Sequence, residues 1–246
     1  MTNEFAVKAT SLVKTFEGKE VIKNCNLTVR KGTIYGFLGA NGSGKTTVFK
    51  MLMGLLIPNA GNIEILGLDS IENKNKILKS IGSIIEIPVF YDHLTASENL
   101  ELHLSYMGIA NPHIDYTLEM VGLKNTDKLP VSKFSLGMRQ RLGIARAIIH
   151  KPEILILDEP INGLDPMGIR EMRELFLNLV KNHNMTILIS SHILSEIEHI
   201  ADTIGVIVDG RIVEEVSLSS IKDQFPDGLE DYFFDIMSGK GGKVIA

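Results

Sequence analysis

A single cysteine, Cys25, stands in the 246-residue chain, so no internal disulfide can form and a reducing compartment is compatible. A surplus of positive charge is also missing: 25 Lys+Arg face 30 Asp+Glu, a formal net charge of −5 with His neutral. Coating a polyanion needs a concentrated basic field, so that class is excluded and no nucleic-acid partner is expected. No run approaches ~18 uninterrupted apolar residues, and residues 1–10 hold no basic segment followed by an apolar one. No bilayer-spanning or secretion-directing segment is expected. Internal repeats and low-complexity tracts are lacking as well. What is there is an ordinary globular mix, 44% apolar and 22% charged, which excludes a disordered or fibrous chain. The length suits one large domain, or one with an inserted lobe, and can bury a sizeable core.

Along the chain, Phe5, Val7 and Ala9 alternate with polar neighbours, and Leu27 with Val29 repeats the period of two, so the first 30 or so residues predict β structure. Residues 33–38 predict a buried strand, followed by a glycine-rich turn and a helix over 45–53. Gly54 is placed to cap that helix and Pro58 to prevent its resumption. Further strands are expected at 61–66 and 81–85. The middle changes character: Thr95 followed by Glu98 is a capping-box pattern, and helices are predicted over 96–107, 114–121 and 136–149. A run of helices without strands implies an inserted helical lobe over roughly 90–150. Strands then return at 154–157, 186–189, 204–208 and 211–214, with helices around Met172 and over 193–201 between them. This alternation argues for an α/β core with a parallel sheet. The tail over 239–242, rich in glycine and lysine, is expected to fray.

Gly39-Ala40-Asn41-Gly42-Ser43-Gly44-Lys45-Thr46 carries the clearest chemistry, because it lies between a predicted strand and a predicted helix. Glycines let successive N–H groups turn inward onto phosphate oxygens, and the new helix adds the positive end of its dipole. Lys45 brings a point charge to the β- and γ-phosphates, the Thr46 hydroxyl can ligate Mg²⁺, and Thr47 extends the nucleotide-binding set. The competing explanation is a glycine-rich turn followed by Lys-Thr, which arises by chance in roughly one chain of this size per hundred. The strand and helix flanks reject it. Residues 154–157 then deliver Asp158 and Glu159 at a strand's carboxyl end, where open α/β sheets bind ligands. Asp158 would hold the Mg²⁺ shell and Glu159 would polarise the water that attacks the γ-phosphate. Taken alone, Asp158-Glu159-Pro160 could equally be a solvated strand end. Two adjacent acids are costly without a cation, so the upstream phosphate loop tips the balance.

Kinases, GTPases and many ATPases share these two features. Phe134-Ser135-Leu136-Gly137-Met138, opening a predicted helix just before Glu159, separates them. With it the chain resembles the nucleotide-binding subunit of ABC transporters over nearly its whole length, from Val7 to about Arg211. Ser135 and Gly137 match that family's Leu-Ser-Gly-Gly-Gln signature, while Leu136 and Met138 depart from it. A helix N-terminus with an exposed Ser and Gly is a second phosphate cradle; alone it would be an ordinary Ser-capped helix. The resemblance implies that this cradle serves the opposite subunit, so two chains sandwich two ATP molecules. It also implies an adenine-stacking role for Phe16, which could instead be a strand-core phenylalanine. Asp165 falls in a loop, Asn162-Gly163-Leu164-Asp165, that crosses the dimer interface in the family; Asn-Gly also favours a plain turn. His192, which matches a switch histidine near the γ-phosphate, would orient water and sense phosphate without accepting the proton; a lone histidine is more often structural. One departure is informative: Glu86 falls where most members carry a glutamine that touches Mg²⁺ and the attacking water. A carboxylate suits Mg²⁺ but adds negative charge beside the γ-phosphate; otherwise it is a strand-end acid facing solvent. This glutamate, with Phe90-Tyr91 and Leu94-Thr95 after it, is similar to the subgroup serving lantibiotic immunity and bacitracin resistance exporters. The loop is expected to hinge the helical lobe and to receive the membrane partner.

The expected fold is an α/β P-loop NTPase core of the ABC ATPase kind, with an N-terminal antiparallel β subdomain and an inserted α-helical subdomain. One ABC ATP-binding domain covers 1–246, with a short C-terminal extension over roughly 217–246. The expected function is that of an ATPase, using ATP and Mg²⁺, which powers export or extraction of an antimicrobial peptide. Its partners are a second copy of itself and an integral membrane permease, which place it at the cytoplasmic face of the membrane. Rival readings are another exporter class (ions or multidrug substrates), a soluble ABC ATPase acting on DNA or ribosomes, and a small-molecule kinase. Short loops, a single cassette and net negative charge disfavour the nucleic-acid reading, and Ser135 with His192 disfavour the kinase.

Overall fold

Apolar alternation shapes the first layer of the computed structural model, which describes residues 4–110, 113–124, 126, 128–192, 194–224 and 229–237. Strand β1 (Phe5–Phe16) buries Val7 and Ala9, then Leu12, and β2 (Lys19–Arg30) buries Ile22, Cys25, Leu27 and Val29. The spacings of three, Ala9 to Leu12 and Ile22 to Cys25, fall where the pairing register shifts, with Ser11 and Asn24 at φ +52° and +53°. An extra residue turns each strand so that its apolar set stays on one face. Glu17 and Gly18, both at positive φ, close the hairpin.

After β3 (Ile34–Leu38) come α1 (Lys45–Leu52), β4 (Ala60–Ile65), β5 (Leu68–Asp69), α2 (Lys74–Lys79) and β6 (Ile81–Ile84). Next follow α3 (Ala96–Met107), α4 (Ile114–Met120) and α5 (Leu136–Ile148), with no strand among the described residues between β6 and β7 (Ile154–Asp158). The chain continues through α6 (Pro166–His183), β8 (Thr186–Ser191), α7 (Leu194–Glu198), β9 (Thr203–Val208), β10 (Arg211–Ser217), α8 (Leu218–Gln224) and α9 (Leu229–Met237). The first sheet is antiparallel, in the order β2-β1-β4-β5. The second has the order β10-β9-β3-β8-β7-β6 and is parallel except for the edge strand β10. β3 and β8 are buried at every position, as strands covered on both faces must be.

The strand-free stretch is the helical lobe that the sequence led us to expect. Its α3 opens on the anticipated capping box: the Glu98 amide donates to Thr95 Oγ1 at 3.2 Å, and the Thr95 amide donates to Glu98 Oε2 at 2.7 Å. Gly54, at φ +65°, closes α1 by donating its N–H to Met51 O. One buried cluster runs from Leu104 and Leu118 in the lobe to Leu155 and Ile187 in the large sheet, so lobe and sheet share a core. The helix expected over 193–201 is shorter: Ile200 and Ala201 both donate to Ile197 O, and this tighter turn ends α7. The sequence reading did not anticipate α2, α8 or α9. The tail over 239–242 lies outside the described residues. Among the described residues no helix is long and apolar enough to cross a membrane.

Candidate functional site

Three strand ends of the large sheet converge on the 39–46 loop. β3 runs into the loop, β7 ends on Asp158 with Glu159 next, and β8 ends just before His192. The loop is fastened from behind, where the Gly210 amide donates to Ser43 O and the Lys23 amide donates to Gly210 O. Gly44 adopts φ +113°, and a Cβ there would fall 2.5 Å from Ile22 Cδ1, so only glycine fits. Lys45 opens α1 with its side chain buried, and Nζ donates to Gly39 O at 2.7 Å and Ala40 O at 3.2 Å. The same ammonium lies 3.8 Å from Glu159 Oε1. Thr46 Oγ1 donates to Asp158 Oδ2 at 2.6 Å.

Glu159 sits at φ +49°, in the left-handed region where a side-chain-bearing residue is strained by about 1–3 kcal/mol. That turn aims its carboxylate back over the loop, with Oε2 3.1 Å from His192 Nδ1. The structure therefore brings together Lys45, Thr46, Asp158, Glu159 and His192.

The fit to a nucleotide rests on observations of the loop itself. Ser43 Oγ is buried with no hydrogen-bond partner, an orphan that a phosphate oxygen would satisfy, and the space beside Gly42 is open. Thr46 and Asp158 supply the hard oxygen donors that suit Mg²⁺.

The other expected residues lie apart from this cluster or hold other partners. Phe16 is 41% exposed, which excludes the strand-core alternative, and Lys14 Nζ sits 5.3 Å from its ring centroid. Ser135 caps α5, accepting from the Met138 amide at 3.2 Å, and Asp165 caps α6, accepting from the Gly168 amide at 2.8 Å. These two caps are neighbours. A Cβ on Gly163 would fall 2.9 Å from Leu136 Cδ2, and one on Gly137 would fall 3.4 Å from Leu164 Cδ2. Within one chain the Ser135 turn and the Asp165 loop thus pack on each other.

Glu86 follows β6 at φ +61°, and its exposed carboxylate accepts from Lys50 Nζ at 2.8 Å, one turn of α1 beyond Thr46. The hydrogen bond from Lys50, with the attraction of its charge, holds the Glu86 carboxyl below the usual range, so the pair forms above the ordinary carboxylate pKa and is lost on acidification. Lys50 thereby offsets the negative charge that a glutamate introduces here. Replacing Lys50 by Ala is expected to shift the Mg²⁺ concentration giving half-maximal ATP hydrolysis several-fold. Glu86→Gln should alter the same dependence with hydrolysis retained. Adding Lys50→Ala to Glu86→Gln should then change nothing further, and a Mg²⁺ titration of the four proteins checks this.

Sequence reasoning missed three contributors. Lys50 is one. Gln140 is another: buried in α5, its Nε2 donates to Pro160 O at 2.7 Å and ties the Ser135 helix to the residue after Glu159. The third is Ser190, whose hydroxyl meets the Asp158 carboxylate and the backbone amide of Glu159. The pairing of Gln140 with residue 160 and of Ser190 with residue 158 appears only once the strands are in register, so no local sequence signal could have found them.

Comparison with known proteins decides between the readings that a phosphate loop and a strand-end acid leave open. The family described as ABC transporter matches residues 22–162. The chain belongs to this family. Bacitracin transport ATP-binding protein BcrA of Bacillus licheniformis is 52% identical over 225 residues, covering 91% of this chain and 74% of that protein. Lantibiotic transport ATP-binding protein SrtF of Streptococcus pyogenes is 46% identical over 209 residues, covering 85% and 90%. Among solved structures, a dimeric post-hydrolysis state of the ATP-binding cassette MJ0796 with ADP and Pi superposes with a TM-score of 0.78 at 25% identity, covering 86% of this chain and 98% of that one. The ABC cassette described above is therefore the ATP-binding, ATP-hydrolysing subunit of an ABC transporter, and its two-sheet architecture with a helical lobe is the ABC ATPase fold.

Proposed function

We propose that this ABC subunit powers export or extraction of an antimicrobial peptide of the bacitracin or lantibiotic class through a separate membrane permease. The similarity to BcrA and SrtF carries the cargo class. Glu86 at the end of β6, with Lys50 as its counter-ion, is compatible with the same subgroup. Two copies enclose two ATP molecules, each between one chain's 39–46 loop and the other chain's Ser135–Gly137 turn, with Asp165 near the shared boundary. Phe16, 41% exposed at the turn between β1 and β2, stacks on adenine with the face that Lys14 does not cover.

Within each pocket the loop amides and Lys45 hold the phosphates, the Lys45 ammonium exchanging its bonds to Gly39 O and Ala40 O for phosphate oxygens. Thr46 and Asp158 would hold the Mg²⁺ that neutralises charge on the β- and γ-phosphates, with Glu86 at its margin. Glu159 accepts the proton of the attacking water, and His192 orients that carboxylate through its 3.1 Å contact. Phosphoryl transfer needs mostly positioning and charge stabilisation, so closure of two chains around ATP completes the site, and hydrolysis reopens it.

The permease docks at the junction of lobe and sheet. A cavity of about 370 Å³ there is lined by Val89, Phe90, Tyr91, Leu102, His103 and Arg146, among others. Ile87, Val89 and Tyr106 beside it are each 79% exposed, an apolar rim suited to a partner's surface. Docking holds the subunit at the cytoplasmic face of the membrane.

The reading is tested in cells expressing this chain with its permease, challenged with bacitracin and with a lantibiotic. Wild type is expected to raise the inhibitory concentration of at least one peptide several-fold over Glu159→Gln. Equal sensitivity of the two strains to both peptides would assign the subunit to another cargo.

A further inference from the structure

We infer that Ser190 is a positioning residue for hydrolysis, its one buried hydroxyl holding the Asp158 carboxylate at the end of β7 and the backbone amide of Glu159 just after it; this rests on the roles proposed above for Asp158 and Glu159. Ser190 is 0% exposed and lies directly opposite Asp158 in the parallel β7–β8 ladder. Its Oγ donates to Asp158 Oδ1 at 2.5 Å and accepts from the Glu159 amide at 3.0 Å. A hydroxyl has one proton to give and two lone pairs to receive with, so both contacts can be made at once.

Each contact answers a specific need. Asp158 Oδ2 is taken by Thr46, and without a partner for Oδ1 the carboxylate could rotate about that single anchor. With Ser190 on the other oxygen, the carboxylate plane is fixed between a residue of α1 and a residue of β8. Glu159, in turn, leaves the strand at φ +49°, and its N–H donates to Ser190 Oγ. That bond helps the chain to hold a strained turn on which the direction of the Glu159 carboxylate depends. One side chain therefore sets the metal-facing acid and the water-facing acid together. An alanine would take the partner away from Asp158 Oδ1 and from the Glu159 amide at once.

The test uses the full chain and three variants, Ser190→Ala, Ser190→Thr and Ser190→Val, each first checked for an unshifted melting transition or its extent of shift. Thr keeps the hydroxyl with an added methyl, and Val has the same volume without it. Two quantities are read: the affinity of the ATP-loaded protein for Mn²⁺ as a spin-active probe, by electron paramagnetic resonance, and kcat with KM for ATP. Ala and Val are expected to weaken Mn²⁺ binding and to lower kcat by about 10- to 100-fold, with KM for ATP changed far less. Thr is expected to recover most of both. Wild-type Mn²⁺ affinity and kcat in Ala would overturn the proposal, as would equal impairment of Thr and Val, because the hydroxyl would then not be what matters. Glu159→Gln runs alongside. If it turns over at the wild-type rate, the assignment of the acids themselves fails, whereas a slow Glu159→Gln with a normal Ser190→Ala removes Ser190 alone.

Discussion

Glu159→Gln is expected to bind ATP at least as tightly as the unaltered chain and to turn it over about 10²–10⁴ times more slowly, the usual scale for loss of a general base. The amide keeps the size of the side chain and its backbone turn, so the phosphate loop and Thr46–Asp158 contact are untouched. What is lost is the carboxylate that faces His192 Nδ1 and lies 3.8 Å from Lys45 Nζ. Removing a negative charge from beside the triphosphate also favours the bound state, so ATP-loaded dimers should accumulate. Phosphate release measured together with size-exclusion chromatography in ATP separates the two effects. Turnover at the original rate would take the role away from Glu159.

Lys45→Ala acts one step earlier. Its ammonium carries two hydrogen bonds to the loop's own carbonyls, and the side chain is buried, so truncation removes a charge meant for phosphate and leaves Gly39 O and Ala40 O without that donor. Charge-assisted hydrogen bonds are worth about 1.5–3 kcal/mol each, so ATP affinity should fall by roughly 10- to 100-fold or more. Equilibrium titration with a fluorescent nucleotide reads this directly, and equal affinity would contradict the cradle. A mixture of Lys45→Ala with Ser135→Arg sharpens the result. In the heterodimer both lesions fall in one pocket and the other pocket is intact, so activity should reappear that neither homodimer has.

The nucleotide loop was legible because its residues are contiguous and lie between a strand and a helix that announce themselves by hydrophobic pattern. Asp158 and Glu159 were legible for the same reason, as the end of an all-apolar run. The capping box at Thr95 and Glu98 is also local, since both partners stand within one turn. What escaped is long-range. Ser190 is 32 residues from Asp158, Lys50 is 36 from Glu86 and Gln140 is 20 from Pro160, and each pairing exists only in the folded register. Short α2 escaped because Ile77 is its only buried side chain, too little to produce a period. The bulges at Ser11 and Asn24 explain why strict alternation fails midway along two strands that are otherwise read correctly.

The tie between Gln140 and Pro160 has a mechanical meaning. The helix it grips begins with the Ser135 turn, which on the two-chain reading faces the neighbour's nucleotide, while residue 160 follows the acid that serves the chain's own. A tilt of that helix on γ-phosphate loss next door would tug the local acid, so the twin chambers would be geared to one another rather than firing independently.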